Sequence, residues 1–296
     1  MHLIVQTVLG GLIDYAGLFP PAALSMSQAV ANYAGYLKGS HAWTLGRFVV
    51  PVARLDEFEL AAQQYFPKST PEPSWHLSTL GGEHADNDIG MISKFNNGHQ
   101  GNAHVDAIEL KVKKPSEIMN VMKAIPNKIE TYFEIPVHND PQEFIETIAQ
   151  VNARAKVRTG GTTADAFPAS RDLARFIQAC IKANVAFKAT AGLHHPIRSC
   201  YPLTYEKDSP QEMMYGFLNV FLTAAFVKKG IDLEKAVHLL EEQSIQRFQF
   251  EDDSVEWLGH TLTVDDIQST RNNVAISFGS CSFEEPIADL HTAHLL

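Results

Sequence analysis

Ala153-Arg-Ala-Lys-Val-Arg-Thr-Gly-Gly161 and Val185-Ala-Phe-Lys-Ala-Thr-Ala-Gly-Leu193 decide the fold. Each is a short β-rich run that carries a lysine and breaks at a small-residue turn. Such a strand predicts a lysine pointing into the mouth of an α/β barrel, where loops after the strand ends hold the chemistry. Two amines brought together there, Lys156 and Lys188, would depress each other's pKa, which is one way to make lysine nucleophilic.

Similar runs lie at Arg47–Val52, Trp75–Leu80, Val105–Val112 and Ile129–Val137, and the two lysine strands are expected over Ala153–Thr159 and Val185–Thr190. Helical stretches are expected at Leu55–Tyr65, Ser116–Ala124, Pro141–Asn152 and Ser170–Ala183. Strand–helix alternation of this kind is the mark of parallel βα repeats. Beyond Thr190 a long helical region is expected over Gln211–Lys229 and Leu233–Gln243, followed by strands at Gln246–Phe250 and Val274–Phe278. Counting both late strands gives eight and closes the barrel, although Gln246–Phe250 fits equally well into a small hairpin that turns at Asp252-Asp-Ser254. The Gly-, Asn-, Asp- and His-rich stretch Gly81–Gly101 reads as a loop over the mouth.

The expected fold is therefore a single (β/α)8 TIM-type barrel over residues 1–296. Residues 1–44 form an irregular N-terminal extension, and residues 45–296 form the barrel with a helical insertion at 193–243. Gly10-Gly11, Gly17 and Pro20-Pro21 break up the lead segment, and Ser25 is placed to cap a helix.

The chain has 296 residues, is 45% hydrophobic, and carries a formal charge of −10. The acidic balance and scattered Lys and Arg argue against nucleic acid as a partner. No apolar stretch approaches the length of a membrane span. The apolar run Leu3–Leu12 lacks a basic start and is followed by Asp14, so no secretory leader is expected. Three widely spaced cysteines, Cys180, Cys200 and Cys281, fit a reduced, cytoplasmic protein without a disulfide framework. The apolar stretch Phe217–Val227 fits either a core helix or a dimer surface, which leaves a homo-oligomer open.

A charge on the helix-facing side of a barrel strand would be buried in apolar packing at a cost of several kcal/mol, so strand charges are expected to point inward. By alternation, Glu109 shares a face with Lys111, Lys156 with Arg158, and Lys188 with Thr190, while Glu134 stands alone on its strand. Four cations against two carboxylates imply a positive interior and a small anionic metabolite, a carboxylate or phosphate ester. The glycine turns add anion capacity through the backbone of Thr159, Gly160, Gly161 and Gly192. Loops after the last barrel strands often bind phosphate, which makes Gly279 and Ser280 candidates as well. Against this, Glu284 and Glu285 stand at the following helix N-terminus, where they favour the dipole and compete with an anion.

Lys156-Val-Arg-Thr-Gly-Gly161 is similar to the Lys-Thr-Ser-Thr-Gly signature of the deoxyribose-phosphate aldolases, a family of class I aldolases. Phe187-Lys-Ala-Thr-Ala-Gly-Leu193 resembles the strand that follows in that family, and Val105-Asp-Ala-Ile108 resembles its aspartate strand. The resemblance covers roughly Val105 to Gly192. It implies Lys156 as the Schiff-base lysine, Lys188 as the lysine that perturbs it, and Asp106 as the proton shuttle, with no cofactor. The sequence departs from the family at Arg158, which stands where the family has a small hydroxyl residue, and at Leu193-His-His-Pro-Ile-Arg198, where the family has a phosphate-binding turn. The two lysine phrases also resemble those of an uncharacterised bacterial barrel family. Asp106 has the opposite strand parity from Glu109 unless a bulge intervenes, so Glu109 and Glu134 remain alternative working carboxylates.

Three functions follow as expectations. The first is an enzyme of aldolase or lyase type acting on a small anionic carbonyl compound through a strand-end lysine, with Arg158 holding the anion. The second is a metal-dependent hydrolase or isomerase using His194, His195 and a carboxylate such as Glu109 or Glu134, although His194 fits acid–base work or substrate binding equally well. The third is a non-catalytic barrel that binds small anions.

Overall fold

A computed structural model describes residues 1–66, 75–99, 101–138 and 140–296. Its barrel strands begin at β1 (Ile13–Tyr15), β2 (Leu45–Pro51), β3 (Trp75–Leu80) and β4 (Ala103–Lys111). They continue through β5 (Glu130–Glu134), β6 (Arg154–Arg158) and β7 (Phe187–Thr190). A hairpin of β8 (Ser199–Pro202) and β9 (Gln211–Met214) follows, then a small antiparallel sheet of β10 (Phe248–Phe250), β11 (Ser254–Trp257) and β12 (His260–Thr263). The last strand is β13 (Ala275–Ser280). Strands β1 to β7 pair in order, all parallel, and β13 closes the ring between β7 and β1, giving an eight-stranded barrel with helices between its strands. This is a (β/α)8 TIM-type fold.

The expected strands β2 to β7 are all present. The lead segment is different from its expectation as an extension: Ile13–Tyr15 is a barrel strand, with Asp14 level with Gly279 of β13. Its three residues are too few to show a strand period among flanking glycines and prolines. The helix Leu3–Leu9 precedes it and buries Ile4, Val5, Val8 and Leu9. After β1 the chain turns through Gly17 to Pro21, and Ser25 caps the helix Met26–Tyr36 with a reciprocal capping box to Gln28, as the Ser25 signal predicts.

Three further expectations are corrected. Gly81–Gly101 contains a barrel helix, Ala85–Gly98, whose apolar residues Ile89, Ile92 and Phe95 repeat at helical spacing among Gly and Asn. Gln100 of that stretch lies outside the described residues. Gln211–Met214 is strand β9 rather than helix; the helix starts at Phe217, after Gly216. Phe248–Phe250 belongs to the small sheet and not to the barrel, so the eighth barrel strand comes from the lead segment.

Most of the expected insertion is part of the outer layer. In the helix Phe217–Lys229 every residue from Phe217 to Val227 is buried, so its all-round apolar character is that of a core helix and not of a dimer surface. Gly230 ends it in the left-handed region at φ 109°, with Lys228 and Lys229 in the last turn. The helix Ser170–Lys182 buries Leu173, Phe176, Ile177 and Cys180 at the spacing of a single face. Among the described residues no helix is long and apolar enough to cross a membrane.

Candidate active site

The C-terminal ends of the barrel strands open into a cavity of about 260 Å³. Its floor is ionic. Lys188 Nζ lies 2.6 Å from both Asp14 Oδ2 and Glu109 Oε1, and Lys156 Nζ lies 2.7 Å from Glu109 Oε2 and 2.9 Å from Glu134 Oε2. Arg158 Nη1 reaches to 3.9 Å from Glu134 Oε1. The groups form one chain of alternating sign, Asp14, Lys188, Glu109, Lys156, Glu134, Arg158, drawn from β1, β7, β4, β6 and β5. Parallel register places its core: Glu134 is level with Lys156, and Lys156 with Lys188. Inward-facing residues of adjacent strands therefore meet side by side.

This arrangement corrects the expected mutual pKa depression. Each lysine meets carboxylates, not the other lysine alone. Burial opposes the charge on Lys188, but Asp14 and Glu109 outweigh it and raise its pKa above the usual lysine value. Burial likewise pushes Glu109 up, while the charges of Lys156 and Lys188 pull it well below the ordinary carboxylate range. The ring of Tyr132 lies under Lys188 Nζ, 5.5 Å from the centroid, and adds a cation–π contact.

The positive excess is also revised. Asp14 joins as a third carboxylate, and Lys111 is exposed and lies away from the cavity. Three carboxylates therefore balance three cations in the chain. Arg158 is the exposed end, with 48% of its side chain accessible and, among the described residues, only the long ion-pair contact to Glu134, so it is the cation of the chain most available to an incoming anion.

Asp14 is fixed from three sides. Arg47 N donates to Oδ1 at 2.8 Å, and Ser277 Oγ donates to Oδ2 at 2.8 Å beside Lys188. A Cβ at Gly46 would lie 2.3 Å from Oδ1, so glycine there admits the carboxylate. Asp14 is a site residue that strand reasoning missed. Its signal is a lone charge in Leu12-Ile-Asp-Tyr15, the same feature that marks Glu109 and Glu134.

Asp106 is not at the mouth. Pairing of β3 with β4 shifts between Leu77 and Ser78, a bulge at which Asp106 has no register partner. Its carboxylate accepts from Arg47 Nε at 2.6 Å and lies 2.9 Å from His76 Nδ1. Arg47 also bonds Glu130, the first residue of β5, and Glu130 bonds Arg154, the first residue of β6. Asp106 thus belongs to a second ionic cluster toward the N-terminal ends of the strands, and it is not placed to shuttle protons in the cavity.

The turn residues divide. Gly161, Thr190, Gly192 and Gly279 line the cavity, whereas Thr159, Gly160 and Ser280 do not. Thr159 is buried and donates its hydroxyl to Ala191 O at 2.7 Å, tying the two lysine turns together. Gly160 is needed for packing, since a Cβ would meet the Phe167 ring at 2.4 Å. Ser280 is buried, and its Oγ accepts from Ser282 N.

The hairpin β8–β9 roofs the cavity through Pro202, Leu203, Thr204, Tyr205 and Met214, so this segment and not Gly81–Gly101 covers the mouth. The loop between β7 and the hairpin is pinned by the helix Phe217–Lys229: Phe217 N donates to His195 O and Leu218 N to Pro196 O. Buried Asn219 accepts from Arg198 N at 2.9 Å. The two histidines diverge. His194 Nδ1 lies 3.0 Å from Glu285 Oε2, and its Nε2 faces Cys281 Sγ at 4.0 Å. His195 Nδ1 lies 2.6 Å from Asp289 Oδ2, and its ring stacks on Tyr201 with centroids 3.5 Å apart.

A metal centre using both histidines with Glu109 or Glu134 is not assembled. The glutamates are engaged by lysines and the histidines by Glu285 and Asp289. Among the described residues no three His, Cys, Asp or Glu side chains converge in a way that would hold a metal ion. The helix N-terminus after β13 presents Glu285 to the mouth, which disfavours phosphate there. Cys281, Glu285 and Tyr205 all line the cavity. Of these, Tyr205 carries no signal in the sequence, because its place depends on how the hairpin folds over the barrel.

Fold and site together define a (β/α)8 barrel with a buried lysine–carboxylate chain at the C-terminal ends of its strands. No family model matches this chain, and no curated protein matches it.

Proposed function

We propose that the protein is an enzyme of lyase or aldolase type that acts on a small anionic carbonyl compound through an imine at Lys156. The observation that carries this reading is the place of Lys156 Nζ, in the cavity between Glu109 and Glu134, with the half-exposed Arg158 two residues along the same strand. Lys188 is the less suitable nucleophile. Both lysines sit between two carboxylates, but Lys188 is held at the deep end of the ionic chain, where Asp14 and Glu109 raise its pKa, and Lys156 is at the end that leads to Arg158.

Glu134 is within reach to accept the proton that the Lys156 ammonium must lose. The free amine then adds to the substrate carbonyl carbon, and the nitrogen's proton passes to the carbonyl oxygen to give a carbinolamine. Glu134 returns its proton to the hydroxyl, which leaves as water, and the product is a protonated imine. That cation draws an electron pair from an adjacent C–C or C–H bond, which is the basis of lyase and aldolase chemistry. Lys188 keeps Glu109 ionised beside the developing charge, and Arg158 holds the substrate anion.

Borohydride reduction in the presence of a panel of aldehydes and keto acids tests the proposal. A reduced adduct on the peptide containing Lys156, located by mass spectrometry, is the expected result. An unmodified Lys156 across the whole panel overturns the imine and leaves a barrel that binds anions without this chemistry.

A further inference from the structure

The cavity carries a second group of reactive side chains that imine chemistry at Lys156 does not use. Cys281 directly follows β13, and its Sγ stands 4.0 Å from His194 Nε2. The other ring nitrogen, Nδ1, lies 3.0 Å from Glu285 Oε2, on the helix Glu284–Thr292. Tyr205, in the turn of the hairpin roof, donates its hydroxyl to Glu285 Oε2 at 3.0 Å and covers Cys281 Sγ at 3.7 Å. Side chains from three separate segments thus converge on one wall of the cavity.

A thiol, an imidazole and a carboxylate in that order form an activating relay: the carboxylate orients the base, and the base takes the nucleophile's proton. Glu285 holds Nδ1 as the protonated nitrogen and turns Nε2 toward the sulfur. Burial opposes a charged ring, but the hydrogen bonds and charges of Cys281 and Glu285 raise His194 to about 9. Burial also acts against the Glu285 carboxylate, which His194 and Tyr205 nonetheless hold below its ordinary value. Among the described residues, other titratable groups near this wall are Tyr15 from β1, whose pKa burial raises, Glu284, and the His195–Asp289 pair.

We propose that Cys281 and His194 form a thiolate–imidazolium pair, oriented by Glu285, that makes Cys281 a nucleophile toward small carboxylate-bearing electrophiles entering the mouth. The imidazolium and the half-exposed Arg158 guanidinium in the same cavity supply the preference for an anion. Sulfur forms one bond to the electrophilic carbon. The displaced electron pair leaves with a leaving group or, at a carbonyl, moves to the oxygen, which takes the proton from His194 Nε2. The inference stands on the geometry around Cys281 and is independent of the imine, because it is read at a different residue.

The chain contains its own comparisons. Cys200 is exposed, and Cys180 is fully buried, which pushes its thiol well up. Alkylation by iodoacetate and by iodoacetamide, resolved by peptide mass spectrometry, tests the proposal; a C–S bond forms and iodide leaves with the electron pair. At about pH 6.5, Cys281 is expected to react about tenfold faster than Cys200. It is also expected to prefer iodoacetate, whereas Cys200 does not, and His194→Gln removes both advantages. Because Tyr205 covers the sulfur, the same rates are measured in Tyr205→Gly. Fast alkylation of Cys281 in either protein, abolished by His194→Gln, upholds the pair. The proposal is overturned if Cys281 reacts no faster than Cys200 in both the wild type and Tyr205→Gly, if it shows no carboxylate preference, or if its reactivity survives His194→Gln.

Discussion

Glu109 bridges the two lysines: Oε1 lies 2.6 Å from Lys188 Nζ and Oε2 lies 2.7 Å from Lys156 Nζ. Ser78 Oγ donates to the same Oε1 at 2.6 Å. One buried carboxylate thus joins the deep half of the ionic chain, Asp14 and Lys188, to the half that faces the cavity.

Removal of Glu109 leaves two buried ammonium groups short of a partner. Glu109→Gln is expected to lose about 3–5 kcal/mol of stability, the range for breaking a buried pair from one side. The pH dependence follows from the depressed pKa of Glu109. Its contribution is complete above the ordinary value of 4.5 and is lost as pH falls from there through the lower folded value. Urea unfolding along an acid series is expected to be shallower for Glu109→Gln than for the wild type.

Lys188→Met and Arg158→Met are expected to behave oppositely. The first strands Asp14 and Glu109 in an apolar interior and costs about 3–5 kcal/mol. The second removes a half-exposed cation with one long contact and changes stability by about 0.5 kcal/mol or less. If Arg158 holds the substrate anion, its variant raises KM while thermal unfolding stays near that of the wild type.

Lys156→Arg keeps a cation between Glu109 and Glu134 but cannot form an imine. It is expected to fold and to lose all borohydride-dependent adduct at this position. An adduct that moves to Lys188 in this variant would reassign the nucleophile.

His194 offers a second pH test, of opposite sign. Its pKa is raised from 6.5 to about 9, so the stability it contributes is complete below 6.5 and is lost as pH rises through about 9. Urea midpoints on either side of that window are expected to fall for the wild type and to stay level for His194→Gln.

Gly192 has φ +71°, and a Cβ there would lie 2.9 Å from Gly160 Cα. Gly192→Ala combines left-handed strain with a backbone clash and is expected to cost about 1–3 kcal/mol in thermal unfolding. It also displaces the turn that follows Lys156.

Strands β2 to β7 were readable because a buried parallel strand is a short apolar run between turns, and its inward charges stand out. The lysines, Glu109, Glu134 and Arg158 were found in that way. β1 was not, since three residues between glycines and prolines show no period. Asp14 was therefore missed, and with it the charge balance of the site. The parity of Asp106 turned on a bulge, which depends on the neighbouring strand. The helix Ala85–Gly98 was hidden by its Gly and Asn content, and it forms because Ile89, Ile92 and Phe95 have a core to face.

The sequence by itself determined the barrel class and the inward places of Glu109, Glu134, Lys156, Arg158 and Lys188, because both follow from local alternation and from the cost of burying a charge in apolar packing. Tertiary structure alone decided who pairs with whom. Closure of β1 against β13 brings Asp14 to Lys188 across 174 residues of chain, and the roof brings Tyr205 and Cys281 together across 76. Those contacts raise the pKa of Lys188 and place the Tyr205 hydroxyl over the Cys281 sulfur.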